Sequence, residues 1–192
     1  MSSNSSSLIF SVSSSLRILL SNFLQITEAD IRFESIGELT TVPDKGLALF
    51  LYKVAENPHL KNHDSAPDFY SNPVFLRNPP IVLDLYYLIT PFGNSEQRLI
   101  TIEGVLQFFH DNPIVSESML SESLLDSGNK EIKVLLNDMT IEQLNSLWNM
   151  FPNTQYRPSL SYLLSPLFIP SNKVSDLGLS RVTTETFSYF KK

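Results

Sequence analysis

Two long apolar runs most constrain what this chain can fold into. The first is Gly46–Ala55, GLALFLYKVA, and it is nearly all apolar and rich in residues that fit a pleated surface. This pattern predicts a central strand that is covered on both faces. The second run is Ile81–Thr90, IVLDLYYLIT, which predicts another strong strand. The chain must therefore supply other elements to cover a sheet.

Shorter segments predict the rest of that sheet. Ile31–Ser35 alternates in polarity, as does Glu131–Asn137, and each pattern is typical of a strand with one wet face. Leu160–Ile169 predicts a last strand, in which Pro166 implies either an edge position or a bulge because proline cannot donate to the ladder. The proline-rich segment Glu56–Pro80 is interpreted as a long loop or excursion.

Helical spacing of apolar residues appears in three segments. The first covers about Ile9–Leu24, and the second covers Glu96–Asp111, which ends before Asn112-Pro113. In the third, Thr140 and Gln143 have the spacing of a capping box. The residues expected on the buried faces are Val12, Leu16, Leu19, Leu20 and Phe23; Leu99, Ile102, Val105, Leu106 and Phe109; and Leu144, Leu147, Trp148 and Phe151.

The order of these elements predicts an α+β, or α/β-like, fold with one mixed sheet of four or five strands flanked by helices. Residues 1–7 form a serine-rich segment that we expect to be disordered, and residues 8–170 form the domain. Residues 171–192 form a polar tail that includes Phe187, Tyr189 and Phe190. Arg181–Phe190 is β-prone, so the tail could act as an arm that pairs with a neighbouring molecule.

Composition argues against several classes of function. The net charge is −6, and lysine and arginine are scattered, so no basic stripe is present to bind nucleic acid. Cysteine is absent, which excludes disulfides, thiolate metal sites and a cysteine nucleophile. The apolar segment Leu8–Leu24 is interrupted by serines and by Arg17, so we expect neither a signal peptide nor membrane insertion.

No catalytic constellation is apparent. His59 and His63 lie four residues apart in a proline-rich loop without a third ligand, so no metal site is predicted. His110 ends a helix, where its charge suits the helix dipole. All six glycines are isolated, and no G-x-S-x-G elbow occurs, so neither a cofactor site nor a nucleophile elbow is expected.

Two charged residues are candidates for a special role. Asp84 lies inside an apolar strand, where it could be a general base or, more simply, a strand residue that faces an arginine or a subunit boundary. Arg157 lies in the turn Tyr156-Arg157-Pro158-Ser159, which suits a bidentate contact with a carboxylate or an internal clamp between turn and helix. Both alternatives stay open for each residue.

Five stretches together resemble the tail-terminator, or cap, proteins of contractile injection systems, the phage-tail-like particles that fire a tube from a sheath. In order along the chain the stretches are LRILLSNFL, LALFLYKVAENPHLKN, PPIVLDLYYLITPFG, RLITIEGVLQFFHDNPIV and LNSLWNMFPNTQYRPSLSYLLSPLFI. They span about Leu8–Ile169. The combination of LDLYYL, a helix that ends in His-Asp-Asn-Pro, and LWNMF followed by YRPSLSY carries most of the resemblance.

The resemblance implies a phage tail-terminator-like fold that assembles as a hexameric ring at the distal end of the inner tube. Such a ring ends tube growth and anchors the last sheath layer, without enzyme activity, cofactor or metal. The implied partners are further copies of the chain, the inner tube protein and the sheath protein. The protein would be cytoplasmic during assembly and then part of the particle. The interface candidates are Asp84, Tyr156, Arg157, Phe187, Tyr189 and Phe190.

The chain departs from the family by stopping soon after the core, where many relatives carry a longer C-terminal extension. Part of the sheath contact could depend on that extension. One alternative function is an adaptor of the same particle, for example at the baseplate. A remote alternative is a small hydrolase or isomerase that uses Asp84 with a histidine.

Overall fold

The computed structural model describes residues 7–39, 44–60, 66–68, 74–151 and 154–179. It contains four α-helices and nine strands in these ranges. The helices are α1 (Leu8–Leu24), α2 (Ser95–Asp111), α3 (Glu122–Asp126) and α4 (Ile141–Trp148). The strands are β1 (Ile31–Arg32), β2 (Leu47–Glu56), β3 (Ala66–Asp68), β4 (Val74–Arg77), β5 (Ile81–Pro91), β6 (Ile114–Ser116), β7 (Glu131–Leu136), β8 (Leu160–Ile169) and β9 (Val174–Leu179).

The two apolar runs form neighbouring strands near the middle of a six-stranded sheet, whose order is β1-β2-β5-β8-β7-β6. Only β1 and β2 are parallel; the other neighbours are antiparallel. The α+β class with a mixed sheet is confirmed, but six strands replace the predicted four or five. The predicted strand Ile31–Ser35 is present in shorter form as β1, and the additional strand is the short edge strand β6, which was not predicted.

The predicted strand Leu160–Ile169 lies between β5 and β7, so Pro166 is not at an edge. Instead, the β5–β8 register shifts between Leu83 and Leu85, which pair with Leu167 and Leu164. Two residues of β8, Ser165 and Pro166, therefore face one residue of β5. The bulge was the correct alternative, since a bulge leaves the proline without a ladder hydrogen bond to make.

One face of the sheet, here called the first face, is covered by α1, α2 and α3. Leucines and aromatics from β2, β5 and β8 pack there against α1 and α2 in the main core. Serines interrupt the apolar sequence of α1, but they are used inside the fold. Ser13 Oγ lies 2.8 Å from the Tyr87 hydroxyl, and Ser11 Oγ lies 2.9 Å from Ser123 Oγ on α3. These bonds satisfy buried polar groups that would otherwise destabilise the helix packing.

The other face, the second face, is covered at one end by α4. The predicted capping box is present: Thr140 Oγ1 accepts from Gln143 N, and Gln143 Oε1 accepts from Thr140 N. The helix places an apolar group on the sheet, as the sequence predicted. The buried members of this smaller core are Ile36, Ala48, Leu88, Phe92, Leu147, Trp148 and Phe151.

The proline-rich segment is not only a loop. It contributes β3 and β4, which form a three-stranded sheet of order β3-β4-β9. The segment after residue 170, expected as a tail, supplies β9, so the chain continues as a strand to Leu179. Sequence periodicity missed these strands because β3 and β4 are only three and four residues long, β3 contains Pro67, and β4 directly follows Pro73. In the described part of the chain, no helix is long and apolar enough to cross a bilayer.

Candidate functional site

Helix α2 has two apolar faces, and only one of them is buried in the core. Val105 and Phe108 face α1, and Phe23 of α1 packs on Phe108 at a ring distance of 5.2 Å. The predicted buried face was Leu99, Ile102, Val105, Leu106 and Phe109; Leu99 and Leu106, however, are 63% and 37% exposed. The expectation was therefore wrong for this part of the stripe, because α2 packs along Val105 and Phe108 instead.

The exposed stripe of α2 forms one wall of an open groove of about 950 Å³. The opposite wall is the end of β7, where Leu135 and Leu136 are 51% and 55% exposed. Tyr162 of β8 also lines the groove. β6 pairs with β7 only from Glu131 to Lys133, so the end of β7 is left uncovered. An apolar groove of this kind is typical of a surface that binds another chain.

Two arginines lie beside the groove. Arg98 is in the first turn of α2, directly before Leu99, and Arg157 is in the turn before β8. The strands bring these segments together, since Ile89 pairs with Leu160 and Thr90 Oγ1 lies 2.7 Å from Ser159 Oγ. The pKa of Arg157 is lowered mainly by burial and, to a smaller extent, by the positive charge of Arg98. Burial removes hydration from the charged guanidinium, and the like charge of Arg98 raises its electrostatic energy.

Neither arginine faces a carboxylate among the described residues. The guanidinium of Arg98 donates to Ser95 Oγ at 3.1 Å, and no described group accepts a bond from the guanidinium of Arg157. An ion pair between described side chains is instead found at Arg17 and Glu28, 3.6 Å apart. The described structure therefore offers no acceptor for the internal clamp considered for Arg157. A carboxylate contact for Arg157 stays a prediction.

The turn that carries Arg157 also carries Tyr156, which is 56% exposed. Its ring packs edge-on against the indole of Trp148 at 5.3 Å. These two rings line a smaller cavity of about 520 Å³ with Ile141 of α4. The Trp148 Nε1 is buried and has no hydrogen-bond partner within the described ranges. Trp148 is thus a core residue, as expected, whose exposed neighbour Tyr156 extends the apolar surface around the arginines.

Asp84 is placed inside the fold rather than at the surface, with 8% of its area exposed. Its Oδ1 accepts from Asn57 Nδ2 at 2.9 Å and from Ser165 Oγ at 2.6 Å. Asn57 Oδ1 in turn accepts the backbone N–H groups of His59 and Leu60, both at 3.0 Å. The carboxylate therefore fixes the bulge of β8 and the segment that leaves β2. These contacts lie within one chain, so they do not test whether Asp84 also lies at a boundary between subunits.

The described residues give no support to catalysis at Asp84. His59 and His110 are exposed, and neither hydrogen-bonds to the carboxylate. Over the same ranges, no three His, Cys, Asp or Glu side chains lie close enough to hold a metal ion. His63 and the candidates Phe187, Tyr189 and Phe190 lie outside the described residues.

Sequence reasoning did not single out four residues: Asn57, Ser165, Asn129 and Arg98. Asn57 and Ser165 hold Asp84, and Asn129 is 1% exposed and bonds through its amide to Phe168 N and Phe168 O, both at 2.8 Å. Asn57 directly precedes Pro58, and an Asn side chain at such a position commonly accepts hydrogen bonds from the turn that follows. The sequence could therefore have predicted the role of Asn57 in that turn.

A known protein family matches most of this chain. The model of the family described as the Pvc16 N-terminal domain matches residues 11–180. The chain belongs to this family. No curated protein sequence is a significant match. The resemblance drawn from the five sequence stretches is therefore confirmed at the level of the family.

Two solved structures share the fold of this family member. One is the PVC sheath/tube terminator of an extracellular contractile injection system in the extended state, with a TM-score of 0.68, 20% identity and 96% of this chain covered. The other is the tube-terminating cap of the anti-feeding prophage, with a TM-score of 0.65, 18% identity and 93% covered. The chain spans 64% and 60% of those two chains. Both are structural terminators and not enzymes.

Proposed function

We propose that this protein is the terminator of a contractile injection particle. In this role, six copies form a ring at the distal end of the inner tube, stop tube growth and anchor the last sheath layer. The observation that carries the proposal is the family match over residues 11–180, together with the shared fold of two terminators along nearly the whole chain. The partners are further copies, the inner tube protein and the sheath protein.

The surface of the chain supports an assembly role. The α2–β7 groove exposes apolar side chains, and Arg98 and Arg157 beside it face no described carboxylate. Buried aromatics, arginines and apolar grooves are the features that concentrate binding energy at protein interfaces. The chain is 18% charged, so part of its surface is suited to contact with other subunits.

The function is tested by removing the gene from a strain that makes the particles and examining them by electron microscopy. We expect tubes of uncontrolled length, or particles whose sheath is lost at the distal end, and rescue by the wild-type gene. Gold labelling of a tagged copy should mark the end opposite the baseplate. Label at the baseplate would favour the adaptor alternative, and particles of normal length and sheath content without the gene would contradict a terminator.

The same particles test where the protein resides. We propose that it is made in the cytoplasm and then stays with the particle. Mass spectrometry of particles purified from the medium should detect it at a few copies per particle. A protein found only in the cell lysate, at the same sensitivity, would contradict this part of the proposal.

A further inference from the structure

The edge of the sheet opposite the α2–β7 groove carries a patch of complementary character. This β1-edge patch consists of Phe10, Phe33, Glu34 and Glu38. Phe10 is 55% exposed and meets the Phe33 ring edge-on at 6.0 Å. Glu34 and Glu38 follow the edge strand and are both exposed. The patch thus combines two aromatic rings with two carboxylates.

The charges of the β1-edge patch are available to a partner. Within the described ranges, Glu34 makes no ion pair, and Glu38 accepts only the backbone N–H of Ser35 at 2.9 Å. The nearby cation Arg17 is engaged already, since it pairs with Glu28 at 3.6 Å and lies 4.8 Å from the Phe33 ring centre. Arg32 of β1 is half-buried, with its Nε enclosed.

The two surfaces lie on different parts of the sheet. β1 is one edge strand, whereas the groove lies over β8 and β7, near the other edge. A contact between two different patches of identical chains is head-to-tail, and it closes into a ring when the rotation between neighbours permits. One patch supplies the exposed Phe10 ring, the partly buried Phe33 ring and two carboxylates. The other supplies a mostly apolar groove, whose wall also includes Glu103, and two nearby arginines that lack carboxylate partners among the described residues.

We propose that the α2–β7 groove, with Arg98 and Arg157, binds the β1-edge patch of a second copy of this chain. The exposed Phe10 ring of one copy, supported by the partly buried Phe33 ring, enters the groove lined by Leu99, Leu106 and Leu135 of the next. Glu34 and Glu38 pair with the two arginines, whose fork suits a carboxylate. The molecule that binds in the groove is a second copy of the chain, because each chain carries both the arginines beside the groove and the carboxylates of the β1-edge patch. This inference rests on the proposed ring and names its contact.

The absence of cysteine from the chain makes a direct test possible. Glu38→Cys places a thiol at an exposed position of the β1-edge patch while leaving Glu34 in place, and Gln107→Cys lies on the wall of the groove. The double variant, treated with a short bis-maleimide reagent, should give a ladder of covalent oligomers that ends at the size of the ring. Each single variant should give no species above a dimer. Glu38→Cys combined with exposed Asn172→Cys is the matched control pair and should give no ladder.

Two failures are distinguishable by adding an amine-reactive cross-linker to the wild-type chain under the same conditions and on isolated tubes. If amines cross-link into closed oligomers but the cysteine pair gives only what its control gives, the ring exists and uses other surfaces. That result overturns this inference alone. If neither reagent yields oligomers even on tubes, the ring itself is contradicted and this inference falls with it.

Charge reversal tests the ionic part of the same contact. Arg157→Glu and Glu34→Arg should each weaken self-association by at least tenfold in sedimentation experiments, and the double variant should recover most of that loss. Lys173→Glu, an exposed reversal on neither surface, is the control. Additive losses in the double variant would overturn the pairing of these two residues.

Discussion

The residue with the most structural consequence is Asp84, although the sequence suggested several roles for it. A carboxylate inside an apolar strand destabilises a fold unless its oxygens are bonded. Here Asn57 and Ser165 bond to one oxygen, and the same Asn57 caps the turn that follows β2. The cluster ties together three chain segments that lie far apart in sequence. Its role in the fold follows from geometry that no local pattern contains.

Replacing Asp84 should therefore weaken the fold rather than any chemistry. Asp84→Ala leaves the Asn57 amide and the Ser165 hydroxyl without a partner, so we expect the free energy of unfolding to fall by about 2–3 kcal/mol. Asp84→Asn keeps an acceptor oxygen and should cost less. Urea unfolding, followed by the fluorescence of Trp148, measures both. An unchanged midpoint for Asp84→Ala would show that the cluster does not contribute to stability.

At the scale of elements, the connection between β1 and β2 depends on Gly46. Its φ is +140°, and a Cβ there would collide with the backbone oxygen of Asp30. Its own carbonyl accepts from Phe92 N at 2.8 Å, which joins the start of β2 to the end of β5. Glycine takes a positive φ without the steric cost that a side chain would add, so it suits this position.

The contribution of this close approach can be isolated with a second glycine. Gly128 also has positive φ, at +90°, but no atom lies within 4 Å of the position that a Cβ would take there. Gly128→Ala should cost about 1 kcal/mol from backbone strain alone. Gly46→Ala should cost at least about 2 kcal/mol more, because the backbone of Asp30 must also move. Equal midpoints for the two variants in thermal unfolding would show that the Asp30 contact is easily relieved.

Helix α2 shows why an element can be predicted while its orientation is not. Its length, its capping residue Asn94 and its end before Asn112-Pro113 all follow from local sequence. Its apolar residues, however, cover more than one face, since Val105 and Phe108 compete with Leu99 and Leu106 for the core. Packing against α1 decides between them. The face of α2 that is not buried, which carries Leu99 and Leu106, lines the groove on which the proposed contact depends.

At the scale of the whole molecule, two buried tyrosines link stability to pH. Burial raises the pKa of Tyr87 and of Tyr162 to about 12, from a usual value near 10. In the unfolded chain both hydroxyls ionise near pH 10, so between pH 10 and 12 the unfolded state binds fewer protons. The contribution of these two tyrosines to the free energy of unfolding is therefore fully present below pH 10 and is lost as the pH rises toward 12.

The size of this effect is measurable. A shift of two pKa units corresponds to at most about 2–3 kcal/mol for each tyrosine, and less where the ring is partly hydrated. The midpoint of urea unfolding should fall between pH 8 and pH 12. In Tyr87→Phe the midpoint should fall less steeply with pH, although this variant also loses the hydrogen bond to Ser13. Tyr156→Phe, which alters an exposed ring, is the control. A slope that is the same in Tyr87→Phe and in the wild type would contradict the assignment to Tyr87.

Local sequence patterns predict the main elements and the mixed α+β class, and the five quoted stretches identify the family. Apolar runs, caps and turn residues act within a few positions, so they identify β2, β5, α2 and α4 without knowledge of their neighbours. Tertiary structure decided what depends on packing between distant segments. It added the edge strand β6, placed β8 inside the sheet, joined Asp84 to Asn57 by a hydrogen bond, and left one stripe of α2 exposed. These features depend on which apolar faces of distant segments pack together in the core. The spacing of residues within one segment does not contain that information.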